Sequence, residues 1–154
     1  MNELRESGLD PLIIDAGDLF FSTANLNTTN KESELYRASA ILEGYSRIGC
    51  DAINVGHYEM LNGLSFLKEM DEKTEIPFLS ANLRDAKTNT LLFDPFSIVE
   101  KGTLKIGIIG VTDKLPDTTK SMITDDYVEA GNHYIDEISS KTDLIVRTGN
   151  SGAL

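Results

Sequence analysis

Apolar positions along the chain alternate between two rhythms. Pro11-Leu12-Ile13-Ile14 is a short apolar run that ends in Asp15-Ala16-Gly17-Asp18, the pattern of a buried strand whose carboxyl end opens into a polar turn. Leu35, Ala38, Ile41, Leu42, Tyr45 and Ile48 then recur at helical spacing, with Thr28, Thr29 or Asn30 as caps and Gly49 as a stop. Residues 52–55, Ala-Ile-Asn-Val, read as a second strand ending at Gly56. The first unit is therefore strand, helix, strand, with the short connections of a parallel crossover.

The rhythm repeats. A helix is predicted over residues 64–73, starting near Asn62 and stopping before Pro77, and a third strand over 78–81, ending at Asn82. Residues 91–100 and 103–111 are β-rich runs separated by Lys101-Gly102, a hairpin whose nearly all-apolar second arm, KIGIIGV, reads as a central strand. Residues 112–123 read as a loop containing Pro116, residues near 125–140 as a weaker helix, and 143–146 as a last strand. The expected fold class is α/β: a sandwich with a mixed sheet, flanking helices and one β-hairpin, whose loops beyond the strand carboxyl ends share a crevice.

Composition narrows the partners. At 154 residues and 40% apolar content, one globular unit with a real core is expected. A formal charge of −11 argues against a grip on DNA or RNA, so no nucleic-acid polymer is expected as partner. Cys50 is the only cysteine, which excludes an internal disulfide and a cysteine-rich zinc site. No apolar run approaches the roughly 20 residues of a membrane span, and MNELRESGLD has neither the basic start nor the apolar stretch of a signal peptide. The chain enters a strand almost at once and stops soon after another. That leads us to expect 1–154 to be a single, partial domain of something longer.

Asp18, then His57 and Glu59, then Asn82, then Asn150 each follow a different strand, so the fold can bring them to one rim. Two-metal phosphoester hydrolysis uses such converging carboxylate, imidazole and amide donors. The same letters also serve as ordinary turn residues, helix caps and surface groups, and spacing alone does not separate the two.

Read together, IIDAGDLF, DAINVGHYEML, IPFLSANL, LFDPFSIVEKGTLKIGIIGVT and TDLIV resemble the 5′-nucleotidase-like branch of the calcineurin-like metallophosphoesterases, from about residue 12 to residue 146. The resemblance implies a metallophosphoesterase-type sandwich, divalent metal cofactors of the zinc, manganese or iron kind, and a phosphate ester or nucleotide as partner. It places Asp18 at the aspartate that bridges the two metals. His57 stands where the family has an asparagine ligand, Tyr58 where it has the histidine that protonates the leaving group, and Asn150 where it has a metal-binding histidine. Leu61 replaces the aspartate that often orients the family's catalytic histidine. The implied metal set is thus Asp18, His57 and Asn150, with Tyr58 at the general-acid position. A phenol, with a reference pKa of about 10, is a poorer acid near neutral pH than imidazole.

The family's opening Asp-x-His pair and closing Gly-His-x-His segment are not in these 154 residues. Three readings stay open: a nucleotidase-type phosphoesterase with an impaired site, a binding or structural domain that keeps only the scaffold, and an unrelated flavodoxin-like α/β domain in which the motif order is accidental. Family members are often periplasmic or extracellular, but the letters here fix neither compartment nor oligomeric state. Gly131-Asn132-His133 spells the family motif better than Gly56-His57-Tyr58, yet it lies inside an amphipathic segment, so His133 is expected on a helix surface.

Overall fold

The computed structural model describes residues 4, 6–117 and 119–149. Strand β1 (Ile14–Asp15) leads through a loop to helix α1 (Lys31–Ile48), strand β2 (Ala52–Asn54), a 3₁₀ turn (Tyr58–Met60), helix α2 (Gly63–Glu72) and strand β3 (Phe78–Leu79). Then come β4 (Leu83–Asp85), β5 (Phe96–Lys101), β6 (Leu104–Gly110), β7 (Met122–Thr124), helix α3 (Tyr127–Ile138) and β8 (Leu144–Thr148). β1, β2 and β3 pair in parallel in that order. β6 lies between β5, its antiparallel hairpin partner, and β8, its parallel one.

The layers follow from strand alternation. Ile53, Val55 and Phe78 face Ala38 and Leu42 of α1 and Leu67 and Met70 of α2 in one cluster, while Ala52 and Leu79 face Ile108 of β6 in another. Ile109, on the opposite side of β6, packs with Ile138 of α3. The result is helices, sheet, sheet, helix. Each large side chain so buried contributes about 1.5–3 kcal/mol.

The boundaries of the three helices agree with the apolar pattern, whereas β5 begins at Phe96, later than the run expected from residue 91. Asn30 stands at the N-cap of α1, and Gly49 ends it in the left-handed conformation, φ 70°, with its N–H turned back to the helix. The KIGIIGV arm is the centre strand of its sheet, and Gly110 at its end is required by packing: a Cβ there would lie 2.5 Å from the Leu79 carbonyl oxygen. Cys50 is buried and free.

Two expectations need correction. The loop expected over 112–123 ends in strand β7, which pairs antiparallel with β4, an element absent from the apolar pattern. The third strand stops at Leu79, because Ser80 and Asn82 turn their side chains into hydrogen bonds with Thr112. The Thr112 hydroxyl in turn donates to the Val55 carbonyl at 2.7 Å, locking the carboxyl ends of β2 and β6 together. That lock makes one rim from two sheets.

Candidate active site

The chain leaves β1 through a tight turn. The Gly17 N–H donates to Asp15 Oδ1 at 2.8 Å, and Gly17 and Asp18 both take positive φ, 94° and 62°. Aspartate is among the few side chains that tolerate this region, so Asp18 is presented on the rim in a conformation costing about 1 kcal/mol or more. A Cβ on Gly17 would sit 2.9 Å from the Gly56 nitrogen, and one on Gly56 would sit 2.7 Å from both the nitrogen and Oδ1 of Asp18. Both glycines are needed for the two strand ends to touch.

Glu59 holds the contact together. Its Oε2 accepts from the N–H groups of Asp18 and Gly56, each at 2.8 Å, and its Oε1 from those of Leu19 at 2.6 Å and Phe20 at 3.2 Å. The residue is fully buried. Burial pushes its carboxyl up from the ordinary carboxylate value, and the N–H groups of Asp18, Leu19, Phe20 and Gly56 pull it back. All four neighbours are donors, so the arrangement is complementary to the ionised form. Both oxygens are committed to backbone, which makes Glu59 a clamp on the Asp18 turn and leaves it no part as a ligand.

Helix α1 grips the same segment from the other side. Arg37 Nη1 donates to the carbonyls of Leu19 and Phe20 at 2.9 Å each, and Glu34 accepts from the Ser22 N–H at 2.7 Å and hydroxyl at 2.5 Å. Phe20 and Phe21 are buried in the main core. The loop carrying Asp18 is therefore fixed on both flanks.

Asp18 Oδ1 accepts from the Tyr58 N–H at 2.8 Å, which brings the first and second strand ends together as the sequence leads one to expect. His57 and Tyr58 are half-buried neighbours, with ring centroids 5.7 Å apart. The His57 Nδ1 is buried and has no hydrogen-bond partner, and the same is true of Asn54 Oδ1, although Asn54 Nδ2 reaches the Ala16 carbonyl at 3.1 Å. Tyr58 and Leu61 pack against the apolar core.

Asn82 is not available to the rim. Its Nδ2 donates to the carbonyls of Thr112 at 2.7 Å and Asp125 at 2.9 Å, and its Oδ1 accepts from the Thr112 N–H at 2.8 Å. It is a cross-link between strand ends. Asn150 lies outside the described residues. His133 stands exposed on α3 against the Tyr134 ring, 4.9 Å between centroids.

The buried, unpartnered Nδ1 of His57 is the kind of atom a metal ion would satisfy, and Asp18 is beside it in the chain fold. Among the described residues, however, no group of three or more His, Cys, Asp or Glu side chains is placed to hold a metal. One carboxylate and one imidazole do not fit a two-ion centre, which needs several convergent donors and an open water position.

Asn54 and the true role of Glu59 are what sequence reasoning missed. An asparagine inside the otherwise apolar Ala-Ile-x-Val run was the available signal for the first. For the second there was none, because its partners lie 39 to 41 residues away for three of its four bonds.

No family profile matches the chain. A 5′-nucleotidase of Vibrio parahaemolyticus is 35% identical over 119 residues, 77% of this chain and 20% of that protein. A 5′-nucleotidase of Vibrio cholerae is 39% identical over 102 residues, 66% of this chain and 18% of that one. The chain thus spans about a fifth of the length of the curated relatives it matches. Among solved structures, a 5′-nucleotidase precursor of Thermus thermophilus superposes with a TM-score of 0.78 at 24% identity, covering 95% of this chain and 29% of that one. A calcineurin-like phosphoesterase of Bacillus subtilis gives 0.72 at 19% identity, covering 99% and 52%.

Proposed function

We propose, from a chain that is similar in sequence to 5′-nucleotidases and in fold to the calcineurin-like phosphoesterases, that it is one part of a nucleotidase-type phosphoesterase domain whose catalytic letters have been altered. Its class of reaction is the hydrolysis of phosphate esters, with nucleotides as the substrate type, by a protein longer than these 154 residues. The span of about a fifth of its relatives supports the second point.

The observation that carries the reading is the clamp of Glu59 on Gly56 and Asp18. A buried carboxylate, two glycines without room for a Cβ and an aspartate at positive φ are costly to keep, and together they do one thing, which is to hold Asp18 at the strand end. In this reading Asp18 keeps the metal-bridging position. His57 takes the neighbouring ligand position with an imidazole in place of an amide, and Asn150 takes a third with an amide in place of an imidazole. Tyr58 occupies the place of the proton donor.

The chain's own residues then position but do not complete the reaction. Tyr58 commits its N–H to Asp18 and its ring to the core. Leu61, packed into the same core, leaves no carboxylate at the position that orients a catalytic imidazole in the family. These two contacts favour a second reading, a scaffold kept for binding without catalysis.

The test is phosphate release from nucleoside monophosphates and an aryl phosphate with added manganese, run beside metal analysis of the same preparation. Background release with substoichiometric metal is expected. Robust turnover with stoichiometric metal would overturn the assignment of an altered site.

A further inference from the structure

We infer that a small cleft at the carboxyl ends of β6 and β8, built around Arg147, is a binding site for a phosphate-type oxyanion. The cleft, of about 150 Å³, is lined by Val111, Asp113, Tyr127, Arg147, Thr148 and Gly149. It belongs to the rim already described, since Val111 and Asp113 flank Thr112, whose hydroxyl is bonded to Val55 just before Gly56 and His57. It depends on none of the metal-position residues and stands whether or not the proposed function does.

Arg147 is seated there by a feature that is unfavourable on its own. Gly131 lies inside α3, where glycine costs about 1 kcal/mol relative to alanine. A Cβ at that position would come within 2.9 Å of Arg147 Cδ and 3.3 Å of its Nη1, so the missing side chain is the space through which the arginine crosses the helix. The chain carries 25 acidic residues against 14 basic ones, yet Arg147 takes part in no ion pair among the described residues. Asp113 shares the cleft without coming within ion-pair distance.

Arg147 is solvent-exposed, and its planar guanidinium, which lies over Gly131 and lines the cleft beside Tyr127 and Thr148 without an ion pair, matches the oxygens of a phosphate or phosphomonoester. The strongly acidic remainder of the chain repels anions, so binding here is local and not a general attraction.

The experiment is a ¹H–¹⁵N NMR titration of the 154-residue chain with inorganic phosphate and with adenosine monophosphate, against adenosine and against sodium chloride at matched ionic strength. Saturable shifts at residues 113, 127 and 147–149 are expected with both phosphates and absent with adenosine and chloride. Arg147→Gln lowers the affinity about tenfold or more, the loss expected for a charged hydrogen-bonding pair. Gly131→Ala is the control for folding: it keeps or raises the thermal midpoint, because alanine favours the helix, while it displaces Arg147 and weakens phosphate binding. No saturable shift in the parent chain, shifts of equal size with adenosine, or unchanged affinity in Arg147→Gln would each overturn the inference.

Discussion

Replacing Glu59 with glutamine isolates the clamp with almost no change in volume. The carboxylate accepts two N–H groups on each oxygen, Asp18 and Gly56 on one, Leu19 and Phe20 on the other. A glutamine has one oxygen, so whichever way its amide is turned, its NH₂ faces two backbone donors. Two buried donors left without acceptors cost about 1–3 kcal/mol each, or about 2–6 kcal/mol together. Relief from burying a charge brings the net toward about 3 kcal/mol, a large fraction of the roughly 5–15 kcal/mol that stabilises a domain. Urea unfolding followed by far-ultraviolet circular dichroism measures it. With a slope of about 1–3 kcal/mol per molar, the midpoint should fall by about 1 M or more. A change within about 0.5 kcal/mol would mean that the four hydrogen bonds do not hold the Asp18 turn, and the reasoning would fail.

Three further outcomes are expected. Gly110→Ala drives a Cβ to 2.5 Å from the Leu79 carbonyl, backbone that cannot yield cheaply, and should cost about 2 kcal/mol or more in the same urea assay, whereas Gly44→Ala, with open space around it, should not. Burial, and then the hydrogen bond to Asp15, raise Tyr45 from 10.0 to about 12. Because the folded value lies above the unfolded one, its contribution to stability is fully present below about pH 10 and is lost as pH climbs toward about 12; phenolate absorbance should show a late titration step that Tyr45→Phe removes. Under the proposed function, Tyr58→His puts a histidine at the proposed proton-donor position, and phosphate release by this chain should nevertheless stay at background, because Asp18, His57 and Asn150 are proposed as an incomplete ligand set; turnover appearing on that single change would contradict that part of the proposal.

The fold was legible in the sequence wherever one surface of an element is apolar along its length. Leu35 to Ile48 announce α1 by period, Asn30 and Gly49 by capping chemistry, and Lys101-Gly102 the hairpin by its turn residues. β4 and β7 were not legible because three-residue strands carry too few positions to show a period, and their pairing joins residues about 40 apart. At the site, the Gly-Asp turn and the Gly-His-Tyr-Glu run were visible as strand ends. The roles of their members were not. Whether a carboxylate faces solvent, a metal or four backbone donors depends on what the fold brings to it, which is why Glu59 and Asn82 look like rim chemistry in the sequence and are structural cross-links in the fold.

The central proposal is that this chain keeps the framework of a phosphoesterase metal site without the donors to fill it. It is tested most directly by the metal content of the purified chain after equilibration with manganese or zinc and removal of free ion, with Asp18→Ala measured alongside. The account predicts less than one bound ion per chain and little difference between the two proteins. Two tightly held ions per parent chain, lost in Asp18→Ala, would contradict it.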